Sequence, residues 1–164
     1  MVIAAVQFVD VVLFFHILGV VLWIGPTYGY AFFQATAESA HPRAIPAVME
    51  GILKIDNTLG NIGALLVVAS GIYMVEDIEA FSYSDFFISW GFAAFVVVLG
   101  LAHGFFGPRA RKLRDLAIRD LGASGEGALS DEYTALSRQV AIVGTVAGLI
   151  AALTIYVMAV KPFL

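Results

Sequence analysis

The sequence predicts an all-α integral membrane protein: an antiparallel four-helix transmembrane bundle with both termini outside. Three observations predict it. The 164-residue chain is 60% apolar and only 13% charged, whereas soluble domains run near 45–50% apolar and about 25% charged. Its mean hydropathy is +0.91. Four apolar segments reach the roughly 20 residues that a membrane helix needs, and the polar segments between them divide sharply by charge.

The first span covers about Val11–Phe33, with Ile3–Val9 as an apolar lead-in. No Lys or Arg precedes it and no small-residue cleavage pattern follows, so it reads as a span rather than a cleaved signal. Gly25-Pro26 predicts a kink in its inner half. The second span covers about Thr58–Val75, the third Phe86–Phe106 and the fourth Val140–Val160. Lipid offers no partner to free backbone groups, so continuous apolar runs become helices. Ser82 or Ser84 is the expected cap of the third helix. Ser130, followed by Asp131 and Glu132, starts the fourth below the membrane. Lys161-Pro162 ends it. The whole chain reads as one transmembrane domain, 1–164, with a cytoplasmic amphipathic segment and linker at 108–137.

Orientation follows from the basic residues. Eight of the nine Lys and Arg lie in the connections after spans one and three, while Glu76, Asp77, Glu79 and Asp85 follow span two. The positive-inside rule places both basic connections in the cytoplasm, and hence the multi-pass chain in the plasma (inner) membrane with extracytoplasmic termini. Within the larger connection, Leu113, Leu116, Ala117 and Leu121 recur at helical spacing. This segment either continues the third helix or lies on the inner leaflet. Gly122–Gly127 reads as a flexible linker.

The absence of cysteine excludes disulfides, thiolate metal sites and cysteine nucleophiles. No phosphate-binding glycine loop, HExxH motif or paired carboxylate deep in a span is present, and nothing points to nucleic acid. Glycines at 144 and 148, and small residues at 60, 63, 64 and 71, suit close helix packing, within the chain or toward a homodimer or complex partner. Polar residues in or beside the spans are few: Asp10, His16, Asn57, Asn61, Ser70, Ser89 and His103. Asn57 and Asn61 are expected to bond across helices, and Asp10 to cap its helix or to take up a cation. Gly19, Val20 and Trp23 share the face of His16, and Gly100 shares that of His103. Imidazole is the best transition-metal ligand here, and glycine lets a macrocycle lie against a helix. His16 and His103 are therefore the candidate metal ligands, with Gly19, Trp23 and Gly100 beside a haem b. A span entering lipid at Asp10 separates the histidines by about 17 Å in depth, too far for one shared iron. Entry at Ile3 would reduce this to about 6 Å. Asp10 prefers the interface, which favours the first.

Phe15-His16-Ile17-Leu18-Gly19-Val20-Val21-Leu22-Trp23-Ile24-Gly25 resembles the opening of a family of predicted bacterial integral membrane proteins of unknown function. Gly71-Ile72-Tyr73, Trp90, Phe106-Gly107-Pro108 and Met158-Ala159-Val160-Lys161-Pro162 fit the same family. More distantly, His16 with Trp23, the late His103 and Val160-Lys161-Pro162 are similar to the HemJ-type protoporphyrinogen oxidases and to copper-resistance protein D. That resemblance implies haem b or porphyrin binding in a redox role. Leu13-Phe14-Phe15 departs from the HemJ pattern before the histidine. Three classes of function stay open on the residues: a haem-binding protein, a non-catalytic subunit or assembly factor, and a small transporter or metal-handling protein.

Overall fold

A computed structural model describes residues 7–122 and 127–163. Ile3–Val6 of the lead-in and 123–126 of the expected linker lie outside the described residues. Among the described residues seven α-helices carry the fold: α1 Phe8–Ile24, α2 Thr27–Ala40, α3 Ile45–Ile55, α4 Asn61–Asp77, α5 Phe86–Leu101, α6 Gly107–Leu121 and α7 Asp131–Val160. They join into four rods long and apolar enough to cross a membrane: Phe8–Ala40, Pro42–Asp77, Phe86–Leu121 and Asp131–Val160. Each rod is longer than the apolar run that announced it. The surplus turns project at the end that carries the basic residues.

Three rods are interrupted. At Gly25-Pro26 the first breaks between α1 and α2. Pro26 has no N–H for the carbonyl four residues back, and Thr27 Oγ1 instead donates to the Ile24 carbonyl at 2.7 Å. A Cβ at Gly25 would run into the Val21 carbonyl oxygen. The second rod passes through a π-helical turn at Asp56–Gly60, and the third through another at Ala102–Phe106.

The helix ends have local causes. Asp85, not Ser82 or Ser84, is the residue that begins α5. Its carboxylate accepts from the Ser82 N–H at 2.8 Å, while the two serine hydroxyls bond each other at 2.9 Å. The Asp85 charge is favourable beside the helix N-terminus, although its side chain makes no cap bond to the helix itself. Ser130 caps α7 as expected, accepting from Tyr133 N–H at 3.3 Å. Lys161 closes α7 in the left-handed region at φ 48°, and Pro162 cannot continue the helix.

Apolar residues are used differently along the rods. Phe14, Ile17, Leu65, Val96 and Leu149 point outward, which costs nothing if the surroundings are lipid tails. The largest fully buried side chains, Tyr133, Ile45, Met49 and Leu113, all lie beyond the spans at the basic end. There Leu113, Leu116, Ala117 and Leu121 of α6 pack on Ile45 and Met49 of α3 and on Ala37 of α2. The amphipathic segment thus continues the third rod and spends its apolar stripe on the protein, not on the leaflet. A carboxylate ties the same end together. Glu38 Oε1 accepts from Gln34 Nε2, Tyr133 Oη and Ser137 Oγ, each at 2.8 Å. Burial and the Glu38 carboxylate push the Tyr133 phenol above its ordinary range.

A second carboxylate fastens α6 to α7. Asp120 Oδ2 accepts from Ser130 N–H at 2.9 Å and Ser130 Oγ–H at 2.6 Å. Arg119 Nε lies 2.8 Å from Oδ1. These donors hold the Asp120 carboxyl down at about 2, against an ordinary 3.8. A depressed carboxyl pKa stabilises the fold above the unfolded value, and that stabilisation is lost as pH falls through the folded one. The α6–α7 junction is therefore expected to weaken between about pH 4 and pH 2. Asp120→Asn should melt lower than the wild type at pH 7, and the two should converge near pH 2. Thermal melts of detergent-purified protein check this; a constant gap across that range would refute it.

Candidate functional site

The face that carries His16 is a helix–helix seam. Gly19 of α1 meets Gly63 of α4 so closely that a Cβ on Gly19 would stand 2.8 Å from the Gly63 carbonyl oxygen. A Cβ on Gly63 would stand 2.6 Å from the Gly19 oxygen and 2.7 Å from the Trp23 nitrogen. Trp23 is buried one turn further on, edge-on to Phe95 at 5.0 Å. Gly19 and Trp23 are thus filled by protein on the side where a flat ligand would have rested.

One turn before Gly19, half-buried His16 reaches the same partner helix. Ser70 Oγ donates to the Leu66 carbonyl of its own helix, so its oxygen is left to accept. His16 Nδ1 lies 3.0 Å away and carries the proton in this arrangement. Nε2 then presents its lone pair. Gly71 faces the ring: a Cβ there would stand 3.5 Å from His16 Cε1, in ordinary contact.

His103 lies elsewhere. It is exposed, within the π-helical turn of the third rod, and in electrostatic reach of Asp56 in the π-helical turn of the second. Tyr30 of α2 completes the group, donating from Oη to Asp56 Oδ1 at 2.8 Å. Asp56 and Ser70 are about 14 residues apart along one rod, roughly 21 Å at 1.5 Å per residue. The neighbours of the two histidines therefore sit at well-separated levels. Among the described residues no three His, Asp or Glu side chains converge as a metal site.

Tyr30 and Asp56 were not singled out from the sequence, although a signal for Asp56 exists. Ile45, Val48, Met49 and Ile52 form an apolar stripe at i, i+3, i+4 and i+7, and Asp56 follows on the same face at i+11. A carboxylate that ends a buried stripe is directed inward. The remaining polar candidates are local. Asp10 accepts from Gln7 N–H at 2.9 Å and caps α1. Asn61 Nδ2 donates at 3.1 Å to the Asn57 carbonyl of its own rod rather than across helices, and both residues are exposed. Gly148 contacts Tyr28, whose Oη donates to the Gly148 carbonyl at 3.1 Å, and Gly144 faces Phe106. The GxxxG of α7 is thus occupied within the chain. Gly100 and Gly104 alone flank His103 with nothing within 4 Å of an added Cβ.

Four lipid-length apolar rods with outward-facing hydrophobic side chains define a multi-pass integral membrane protein. Residues 10–162 match the model of a family described as predicted integral membrane protein, DUF2269. The chain belongs to that family. No curated protein matches it, and no solved structure does.

Proposed function

We propose that this chain is a small cation-handling transporter whose protonatable site is Tyr30–Asp56–His103, with the basic end in the cytoplasm and both termini outside the inner membrane. The observation that carries this is a coincidence of place. The three rods that are broken, at Gly25-Pro26, Asp56–Gly60 and Ala102–Phe106, are the three that supply the site. Interrupted membrane helices expose backbone groups, and ion sites of transporters are built where they are interrupted. π-Helical turns within α-helices concentrate at functional positions for the same reason. An ionisable side chain at the edge of a span is expensive, so its presence asks for a use.

The chemistry fits a proton best. A carboxylate accepts it, a phenol positions that carboxylate, and an exposed imidazole from another rod stands where it could pass the proton on to water. The test is a pH gradient imposed on liposomes that contain the purified chain, read by an enclosed pH dye, with Asp56→Asn beside the wild type. Wild-type flux that Asp56→Asn removes supports the reading; equal flux in both, or none in either, overturns it.

A second reading is favoured by the His16–Ser70 geometry, which engages Nδ1 and makes Nε2 the ring nitrogen that could ligate. His16 would hold a haem b through Nε2, and the group would supply one-electron chemistry when bound. Gly19 is no longer available as its floor, and His103 stands too far along the bundle to be the other axial ligand. A visible spectrum decides it. The expected Soret band should vanish in His16→Ala and survive in His103→Ala. A colourless wild type would dismiss the haem reading.

A further inference from the structure

The basic residues of α6 fall into two groups. The three further along the helix are paired with carboxylates. Lys112 pairs with Glu132 at 2.9 Å, Arg114 with Asp115 at 3.0 Å, and Arg119 with Asp120 at 2.8 Å and Glu132 at 3.2 Å. The two nearest the end of the third span are not. Arg109 lies flat on Phe105, its guanidinium carbon 3.6 Å from the ring centroid. Its hydrogen bonds go only to neutral oxygens, those of Gln139 and the Phe105 carbonyl, each at 3.4 Å. Arg111 folds back over Gly107: its guanidinium nitrogens come 3.9 Å from a Cβ built there, and among the described residues it makes no ion pair. Exposed Arg138 lies next to Gln139, just below the fourth span, and also lacks an ion pair among the described residues.

We infer that Arg109 and Arg111 bind the phosphodiester headgroup of an anionic phospholipid in the leaflet facing the basic end. Charge and position both select this occupant. Side chains of α6 lean toward the N-terminal end of their helix, which here is toward the lipid. The two guanidinium groups therefore lie at the height of Phe105 and Gly107, where lipid headgroups begin. Guanidinium forks match phosphate oxygens in pairs. The weak, long bonds that Arg109 makes to neutral groups hold its plane in place and leave its charge uncompensated. The outward-facing Gly100 and Gly104 leave the helix surface above them bare for an acyl chain. Further along α6, Lys112, Arg114 and Arg119 already have carboxylate partners.

Native mass spectrometry of the full chain, purified in detergent and exposed to equal phosphatidylglycerol and phosphatidylcholine, tests the site. The wild type should retain phosphatidylglycerol selectively. Arg109→Gln with Arg111→Gln should reduce that retention about tenfold or more, from the attraction that each interfacial base adds. Lys112→Gln with Arg114→Gln removes the same charge and should leave retention unchanged. Should the first pair not yield a monodisperse protein, Arg111→Gln alone gives the reading, since that side chain has no hydrogen bond to lose. Equal retention of phosphatidylcholine, an equal loss in the Lys112–Arg114 pair, or displacement of the lipid by millimolar inorganic phosphate would each overturn the inference. None of these outcomes depends on proton flux, so the transporter reading stands or falls separately.

Discussion

Asp56→Asn is expected to lower pH-driven flux in liposomes by at least about tenfold while leaving the fold intact. The substitution preserves size, and an amide oxygen still accepts from the Tyr30 hydroxyl now 2.8 Å from Oδ1. What it removes is the charge and the ability to exchange a proton. Positioned proton acceptors contribute about 10²–10⁴ to the reactions they serve, so tenfold is a conservative floor. Tyr30→Phe removes one hydrogen bond to a charged group, worth about 1.5–3 kcal/mol. It should displace the pH profile of flux without abolishing its maximum. His103→Gln should slow exchange with the aqueous side. Neutral drift of unmodified flux with lipid composition would not bear on this. Retention of full flux by Asp56→Asn, with matched reconstitution efficiency, would remove the site from consideration.

The parts of this molecule that depend on sums over many residues were legible in the sequence. Four runs of lipid length appear as four rods, and the bias of Lys and Arg places the basic connections at one end, where α3, α6 and the start of α7 meet in a shared core. Features that hinge on one residue at an element boundary were harder to read. Asp56 lies two residues before the apolar run of the second span, so it passed for loop, although α3 and α4 form one rod through it. The π-helical turns have no composition of their own: Asp56–Gly60 and Ala102–Phe106 are recognised only by hydrogen-bond pattern. Glycine stripes show a similar ambiguity. Spacing alone cannot say whether a missing side chain makes room for a ligand, a partner or a neighbouring helix. For Gly19 the occupant is Gly63, for Gly148 it is Tyr28, and for Gly100 none of the described residues fills the space. Competition for caps is equally local. Asp85 takes the position ahead of α5 while its carboxylate bonds the Ser82 N–H of the preceding turn, a local arrangement that pattern matching does not weigh.

Gly63→Ala is expected to destabilise the packing of α1 on α4 strongly. The added carbon would lie 2.6 Å from the Gly19 oxygen, 2.7 Å from the Trp23 nitrogen and 3.0 Å from Trp23 Cβ. Two of these are backbone atoms, so no side-chain rotation relieves the contact and α1 must move away from α4. Overpacking of this kind costs about 1–3 kcal/mol. In lipid the loss is felt fully, because close backbone approach replaces the hydrophobic drive that would hold two helices together in water. Separation of the seam would also withdraw Ser70 from His16 and loosen Trp23 from Phe95, so damage should spread along α1. Gly100→Ala is the matched control. Nothing lies within 4 Å of its Cβ, and in a helix interior alanine is favoured over glycine by about 1 kcal/mol. That variant should melt at or above the wild-type temperature. Thermal melts in one detergent, followed by circular dichroism and gel filtration, separate the two. If Gly63→Ala melted like the wild type, or Gly100→Ala fell as far, helix contact at Gly19–Gly63 could not be what holds the first and second rods together.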